Sequence, residues 1–91
     1  MYLRVTRGRL GEADPDEFVR TVEVRTLAVA RHAPGLRGFH LGVDRAAGTF
    51  CAVSQWDLPG HAGAIEVARP ALEALGARFE APEIFEVVAQ L

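Results

Sequence analysis

Two runs of strand-compatible sequence lie in the middle of the chain: Leu36-Arg37-Gly38-Phe39-His40-Leu41-Gly42-Val43-Asp44 and Thr49-Phe50-Cys51-Ala52-Val53-Ser54-Gln55-Trp56. The turn Arg45-Ala46-Ala47-Gly48 separates them, which predicts a β-hairpin. If Asp44 pairs with Thr49, then Val43/Phe50, Leu41/Ala52 and Phe39/Ser54 become cross-strand neighbours, with Trp56 on their face. Gly38, His40 and Gly42 then share the opposite face. Pro34-Gly35 stops whatever helix precedes the hairpin, and Trp56-Asp57 marks the handover to whatever helix follows it. A hairpin placed between two helical segments leaves few architectures open to a short chain.

The flanking segments narrow the choice further. Residues 1–10 alternate, with Leu3 and Val5 on one face and Tyr2, Arg4 and Thr6 on the other, as a strand requires. Asp14-Pro15-Asp16-Glu17 combines a capping Asp, a Pro at the first helical position and a Glu three residues after the cap. The helix it starts is predicted over 15–32, with Phe18, Val19, Val22, Thr26, Val29, Ala30 and Ala33 on the inward face. Val24 and Leu27 fall roughly opposite. Pro70 divides the next helical segment into two short helices, about Leu58–Ala68 and Arg69–Phe79. Asp57 is placed to cap the first, and the inward stripe is Ile65, Ala68, Leu72, Leu75 and Phe79. Pro82 leads into a closing strand over 83–90, where Phe85, Val87, Ala89 and Leu91 alternate against Ile84, Glu86 and Val88. The order is β-α-β-β-α-β: an α+β, ferredoxin-like split βαβ domain spanning 1–91, with a four-stranded antiparallel sheet and both helices on one face.

Helices on one face leave the other face bare. Yet strands three and four carry apolar residues on both: Cys51 and Val53 against Phe50 and Ala52, and Ile84 and Val88 against Phe85 and Val87. A single-layer domain of this length cannot bury both sets. The expected remedy is a second copy packed on the same face, an isologous homodimer.

Charge and composition exclude several classes. The net charge is -2, so no basic stripe invites nucleic acid. All ten cations are Arg, and neither Lys nor Asn occurs. Cys51 is the single cysteine, which rules out an internal disulfide and points to a reducing, cytoplasmic setting. No apolar run approaches the ~20 residues of a membrane span. The three His residues lack metal-ligand spacing, so no metal site is expected.

The Pro34-Gly35 helix exit, the hairpin, Ser54-Gln55-Trp56-Asp57 leading into a helix and the Pro82-led closing strand together resemble the dimeric α/β-barrel superfamily. Within it they are similar to antibiotic-biosynthesis-monooxygenase-like domains. The resemblance covers nearly the whole chain. It implies a pocket between helices and sheet, lined by the Trp that ends strand three, here Trp56. It also implies cofactor-free oxygenation of aromatic polyketides or quinols, which react with dioxygen directly once deprotonated. The haem-degrading branch adds an Asn on strand one and a His ten residues after the Trp. This chain has no Asn, carries Glu66 at that spacing, and has its nearest downstream His at His61. No cofactor is therefore expected.

Each candidate residue has a plain reading beside the functional one. Trp56 either stacks on a flat ligand or closes the core at a strand end. His40 and His61 are the candidate bases; His40 is otherwise an interface residue, and His61 a surface one. Arg4 and Arg7 project from opposite faces of strand one, so one of them can point into a cavity and hold an anionic oxygen; both can instead form ion pairs. With Ser54 and Trp56 they make up the substrate-binding set. The alternatives to an oxygenase are a non-enzymatic barrel that binds a small hydrophobic ligand or has a structural role, and an isomerase or lyase on the same scaffold.

Overall fold

The computed structural model describes residues 1–58, 66 and 68–91. Three strands form the body of the sheet: β1 (Tyr2–Arg9), β2 (Leu36–Asp44) and β3 (Thr49–Trp56). The order is β2-β3-β1, with every pairing antiparallel. The remaining edge of β1 is shared. Gly8 and Arg9 pair with the two-residue strand β4 (Arg78–Phe79), and Tyr2–Val5 pair with β5 (Glu83–Glu86). The helices lie on one face. The chain thus has the α+β, ferredoxin-like arrangement that the element order predicts.

The hairpin has the predicted register: Val43 faces Phe50, Leu41 faces Ala52 and Phe39 faces Ser54. One irregularity falls between Leu36 and Gly38, where Arg37 is the extra residue. Arg37 turns outward and forms a two-pronged ion pair with Asp57, at 2.7 and 3.1 Å. Hydrogen bonding to the Asp57 carboxylate raises the Arg37 pKa above its ordinary value. The helix that Asp57 was expected to cap, with Ile65 in its inward stripe, falls mostly at 59–65 and 67, outside the described residues.

The first helix starts as predicted. The Asp14 carboxylate accepts from the Glu17 N–H at 3.0 Å, and Pro15 opens the helix. It does not run on as one α-helix. It comprises α1 (Pro15–Thr21), a π-helical turn (Val22–Thr26) and α2 (Leu27–Ala30). Within the turn, the Leu27 N–H donates to the Val22 carbonyl five residues back. Just before it, the Thr21 hydroxyl donates to the Glu17 carbonyl at 2.9 Å, a side-chain bond that bends helices. The π turn holds one residue more than an α turn, so every later residue is set back by about 100°. This accounts for a correction. Val29, expected inward, is 38% exposed, while Ala30, also expected inward, is buried. The buried series Phe18, Val22, Thr26, Ala30 steps by four, a spacing a straight α-helix would carry off the face.

The second half departs further. The helix expected over 69–79 ends at Ala74, giving α3 (Arg69–Ala74). Gly76 adopts φ +111°, its N–H donates to the Glu73 carbonyl, and the Ala77 N–H donates to the Leu72 carbonyl. That is a Schellman stop. Phe79 therefore reaches the core from β4 rather than from a helix, and stacks edge-on against Phe50 at 5.0 Å. Gly8 makes this approach possible: a Cβ there would collide with the Arg78 carbonyl and the Phe50 ring. The last strand is also shorter than expected. It ends at Glu86, and Val88 and Leu91 are exposed.

The core comprises Leu10, Ala13, Phe18, Val22, Phe50, Ala68, Leu72 and Ala77, between helices and sheet. Phe18 and Phe50 meet at 4.8 Å.

Candidate functional site

The β1–β3 pairing decides which strand-one side chains face the helices. Arg4 lies opposite Ser54, Thr6 opposite Ala52 and Gly8 opposite Phe50, all on the helix side. Arg7 lies opposite Cys51 on the other side, exposed and paired with Glu83 at 2.6 Å. Strand alternation thus sends Arg4 in and Arg7 out.

Beside the core, between helices and sheet, is a pocket of about 40 Å³. Its floor is Arg4, Thr6, Ala52 and Phe50 from the two central strands. Phe39 and Leu41 of β2 form one side, and Phe18, Val22 and Thr26 of the first helix form the roof. Glu66, Ala68, Arg69 and Leu72 close the far end with Phe79. The walls are mostly apolar. Of the polar exceptions, three are buried, Arg4 at 7% exposed, Thr6 at 7% and Thr26 at 2%, while Glu66 and Arg69 at the far end are about a third exposed.

The Arg4 guanidinium is held by an ion pair with the Glu66 carboxylate. Glu66 also lies 3.7 Å from Arg69, which in turn bonds Glu73 at 3.1 Å and sits over the Phe79 ring at 5.1 Å. Burial, and secondarily the positive charge of Arg69, lower the Arg4 pKa from the ordinary arginine value. An arginine nonetheless stays charged in a protein. The pocket therefore offers a cation at the base of an apolar cleft, neutralised by one carboxylate. That arrangement can hold an ionised oxygen on an otherwise apolar ligand.

The other sequence-predicted residues are distributed as follows. Trp56 is fully buried, and its indole N–H donates to the Ser54 hydroxyl at 2.7 Å. Ser54 shares a rung with Arg4, and Trp56 pairs with Tyr2 two rungs along, on the same face. Both lie beyond the pocket's end, and neither is in its wall. His40 is exposed on β2 and pairs with Val53, on the sheet face away from the pocket. His61 lies outside the described residues. The structure therefore brings one of the six, Arg4, into the pocket wall, sets Ser54 and Trp56 beside it, and sends Arg7 and His40 to the other face. Sequence reasoning did not assign Glu66, Thr6 or Thr26 to a site. Thr26 had a signal, a hydroxyl on an otherwise apolar helix stripe. Glu66 had a weaker one, its i,i+3 spacing from Arg69.

Among the described residues, no cluster of His, Cys, Asp or Glu could hold a metal ion, and no helix is long and apolar enough to cross a membrane.

Solved structures share this ferredoxin-like arrangement over nearly the whole chain. SnoaB, a cofactor-independent oxygenase from Streptomyces nogalater, is 22% identical and superposes over 99% of this chain and 95% of its own, with a TM-score of 0.77. A Deinococcus radiodurans protein, provisionally named an antibiotic biosynthesis monooxygenase, is 16% identical over 100% and 96%, with a TM-score of 0.72. A Nitrosomonas europaea protein with the same provisional name is 9% identical over 96% and 89%, with a TM-score of 0.70. At these identities the likeness establishes the shared fold. No family model and no curated protein matches the sequence.

Proposed function

We propose that this chain is a homodimeric, cofactor-independent monooxygenase-like protein acting on a small aromatic molecule, a polyketide or quinol, in the pocket between helices and sheet. The observation that carries the reading is Arg4, a buried cation at the base of an apolar cleft. The fold supports it, being shared with an oxygenase that uses no cofactor. A phenolic substrate bound as its anion places its oxygen on Arg4 and its ring among Phe18, Phe39 and Phe50. Oxidation of a ring-flanked methylene, CH2 + O2 → C=O + H2O, balances without a further reductant. Dioxygen accepts the electrons, and the protein's part is to stabilise the anion and keep water away.

Oxygen uptake and quinone absorbance with anthrone or a naphthoquinol test this reading. Turnover that is lost in Arg4→Met, with the fold retained, supports it. No turnover of any planar phenol or quinol, with no binding detected, overturns it. A second reading, a dimeric barrel with a structural or ligand-binding role, is favoured by two features: the pocket's small volume and the complete burial of Trp56. Either reading takes the face bearing Leu3, Val5 and Val53 as the dimer contact.

A further inference from the structure

At about 40 Å³ the pocket is too small for its proposed ligand. A cavity that takes up one benzene ring measures about 150 Å³. The missing space lies next door. A groove of about 350 Å³ runs along the outer edge of the helix–sheet contact, past Val19, Leu27 and Val43, with Glu23 and Arg45 on its rim. Pocket and groove have three side chains in common: Val22, Phe39 and Leu41. We infer that Phe39, backed by Val22 and Leu41, is the gate of the site, and that a bound aromatic ligand displaces it and spans both compartments. The inference rests on the ligand reading of the pocket given above.

Two of the three partition side chains, Phe39 and Leu41, stand on an element suited to yielding, while Val22 is core. Phe39 and Leu41 belong to β2, which among the described residues pairs with β3 alone and has no strand on its other side. Both are only partly buried, unlike Phe18 and Phe50 on the inner walls. Val22 is the first residue of the π turn, where the helix's regular hydrogen bonding is interrupted. The interior walls at Leu72 and Phe50 are core, and moving them costs packing on all sides. The polarity runs the right way too. The groove is apolar between its charged rims, and Arg4, the one deeply buried cation among the described residues, lies at the pocket's inner end. A planar ring system with one ionisable oxygen fits this gradient, oxygen inward and rings towards the groove. A two- or three-ring substrate then fits where a cavity alone would take none.

Naphthol serves as the probe, its binding followed by stopped-flow through Trp56 fluorescence and independently by calorimetry. Phe39→Ala removes the gate and is expected to speed association about tenfold; Phe39→Trp enlarges it and is expected to slow association by a similar factor. Phe39→Leu is the milder opening variant if the alanine form fails to fold. Leu72→Ala, which widens the pocket without touching the partition, alters affinity and leaves the association rate near that of the parent. If naphthol binds the parent and associates at the same rate in every foldable Phe39 variant, the gate is wrong and the ligand reading survives. If naphthol binds neither the parent nor any Phe39 variant, the aromatic-ligand reading fails and the gate fails with it.

Discussion

On the helix side of the sheet, Phe50 is 4% exposed and Trp56 is completely covered. On the opposite side, Phe85 of β5 is 46% exposed, and Leu3, Val5 and Val53 are only half-buried by their neighbours in the sheet. Residue type does not separate the two faces; apolar side chains alternate onto both. What separates them is cover. Helices from the same chain close one side, and no described element closes the other. The covered face also tolerates polar groups that the open one does not need. Arg4, Thr6, Thr26 and Ser54 are all buried on the helix side, and no buried side-chain donor or acceptor among the described residues lacks a partner. The charges of the open face, Arg7 and Glu83, pair in solvent. The comparison puts a buried cation, Arg4, on the covered face and an uncovered apolar surface on the other.

Substitutions on the two faces should behave differently. The largest effect is expected on the helix side. Phe18→Ala opens a cavity beneath the helix and costs about 3–5 kcal/mol of folding free energy, read from urea midpoints. A loss below about 1 kcal/mol would mean that this face is not the packed one. Next is Trp56→Phe. It leaves the buried Ser54 hydroxyl without its indole donor and is expected to cost about 1–3 kcal/mol. The double variant with Ser54→Ala should recover part of that loss if the bond matters as drawn. Glu66→Gln strips the carboxylate from Arg4. Because Glu66 is 34% exposed and partly screened, about 1–2 kcal/mol is expected. Asp14→Ala, which removes the cap at the start of α1, should cost about 1 kcal/mol. On the open face, Val53→Asp should change the circular dichroism least of all and the assembly most. Light scattering should fall from twice the 9.9 kDa chain mass to a single copy. A parent protein that is already monomeric at micromolar concentration would remove the argument for a dimer.

Much of the hairpin could be read from the sequence because its constraints are local. The turn length, the alternation and the Pro34-Gly35 stop act within a few residues, and they yield the register of Val43/Phe50, Leu41/Ala52 and Phe39/Ser54 directly. The Asp14 cap is legible for the same reason. The π turn is not. Val22–Thr26 contains no Pro or Gly to announce it, and it forms in a helix whose inward residues recur every four positions. Its consequence, the exposure of Val29 while Ala30 stays inward as expected, is invisible to any reading at constant period. Gly76 was readable as a helix stop but lay inside an otherwise helical pattern. Missing it turned a two-residue strand into the tail of a helix.

The candidate site divides in the same way. Alternation alone placed Arg4 and Arg7 on opposite faces of strand one. Which of them entered the protein depended on the pairing of β1 with β3 and on where the helices lay. Trp56 was legible as a buried aromatic. Its place two rungs beyond Arg4 on the same face, bonded to Ser54 rather than facing the pocket, came from cross-strand geometry. The Arg4–Glu66 ion pair joins residues 62 positions apart, and no local pattern encodes it.

By itself, then, the sequence determined the split βαβ order, the hairpin register and the first helix's starting point. Each of these follows from short-range sterics, hydrogen bonding and hydrophobic period. Tertiary structure decided which arginine is buried, which carboxylate neutralises it, how large the pocket is and where its weakest wall stands. Those outcomes depend on distant segments packing against one another, because the burial of Arg4 and its ion pair with Glu66 exist only once the helices have closed over the sheet.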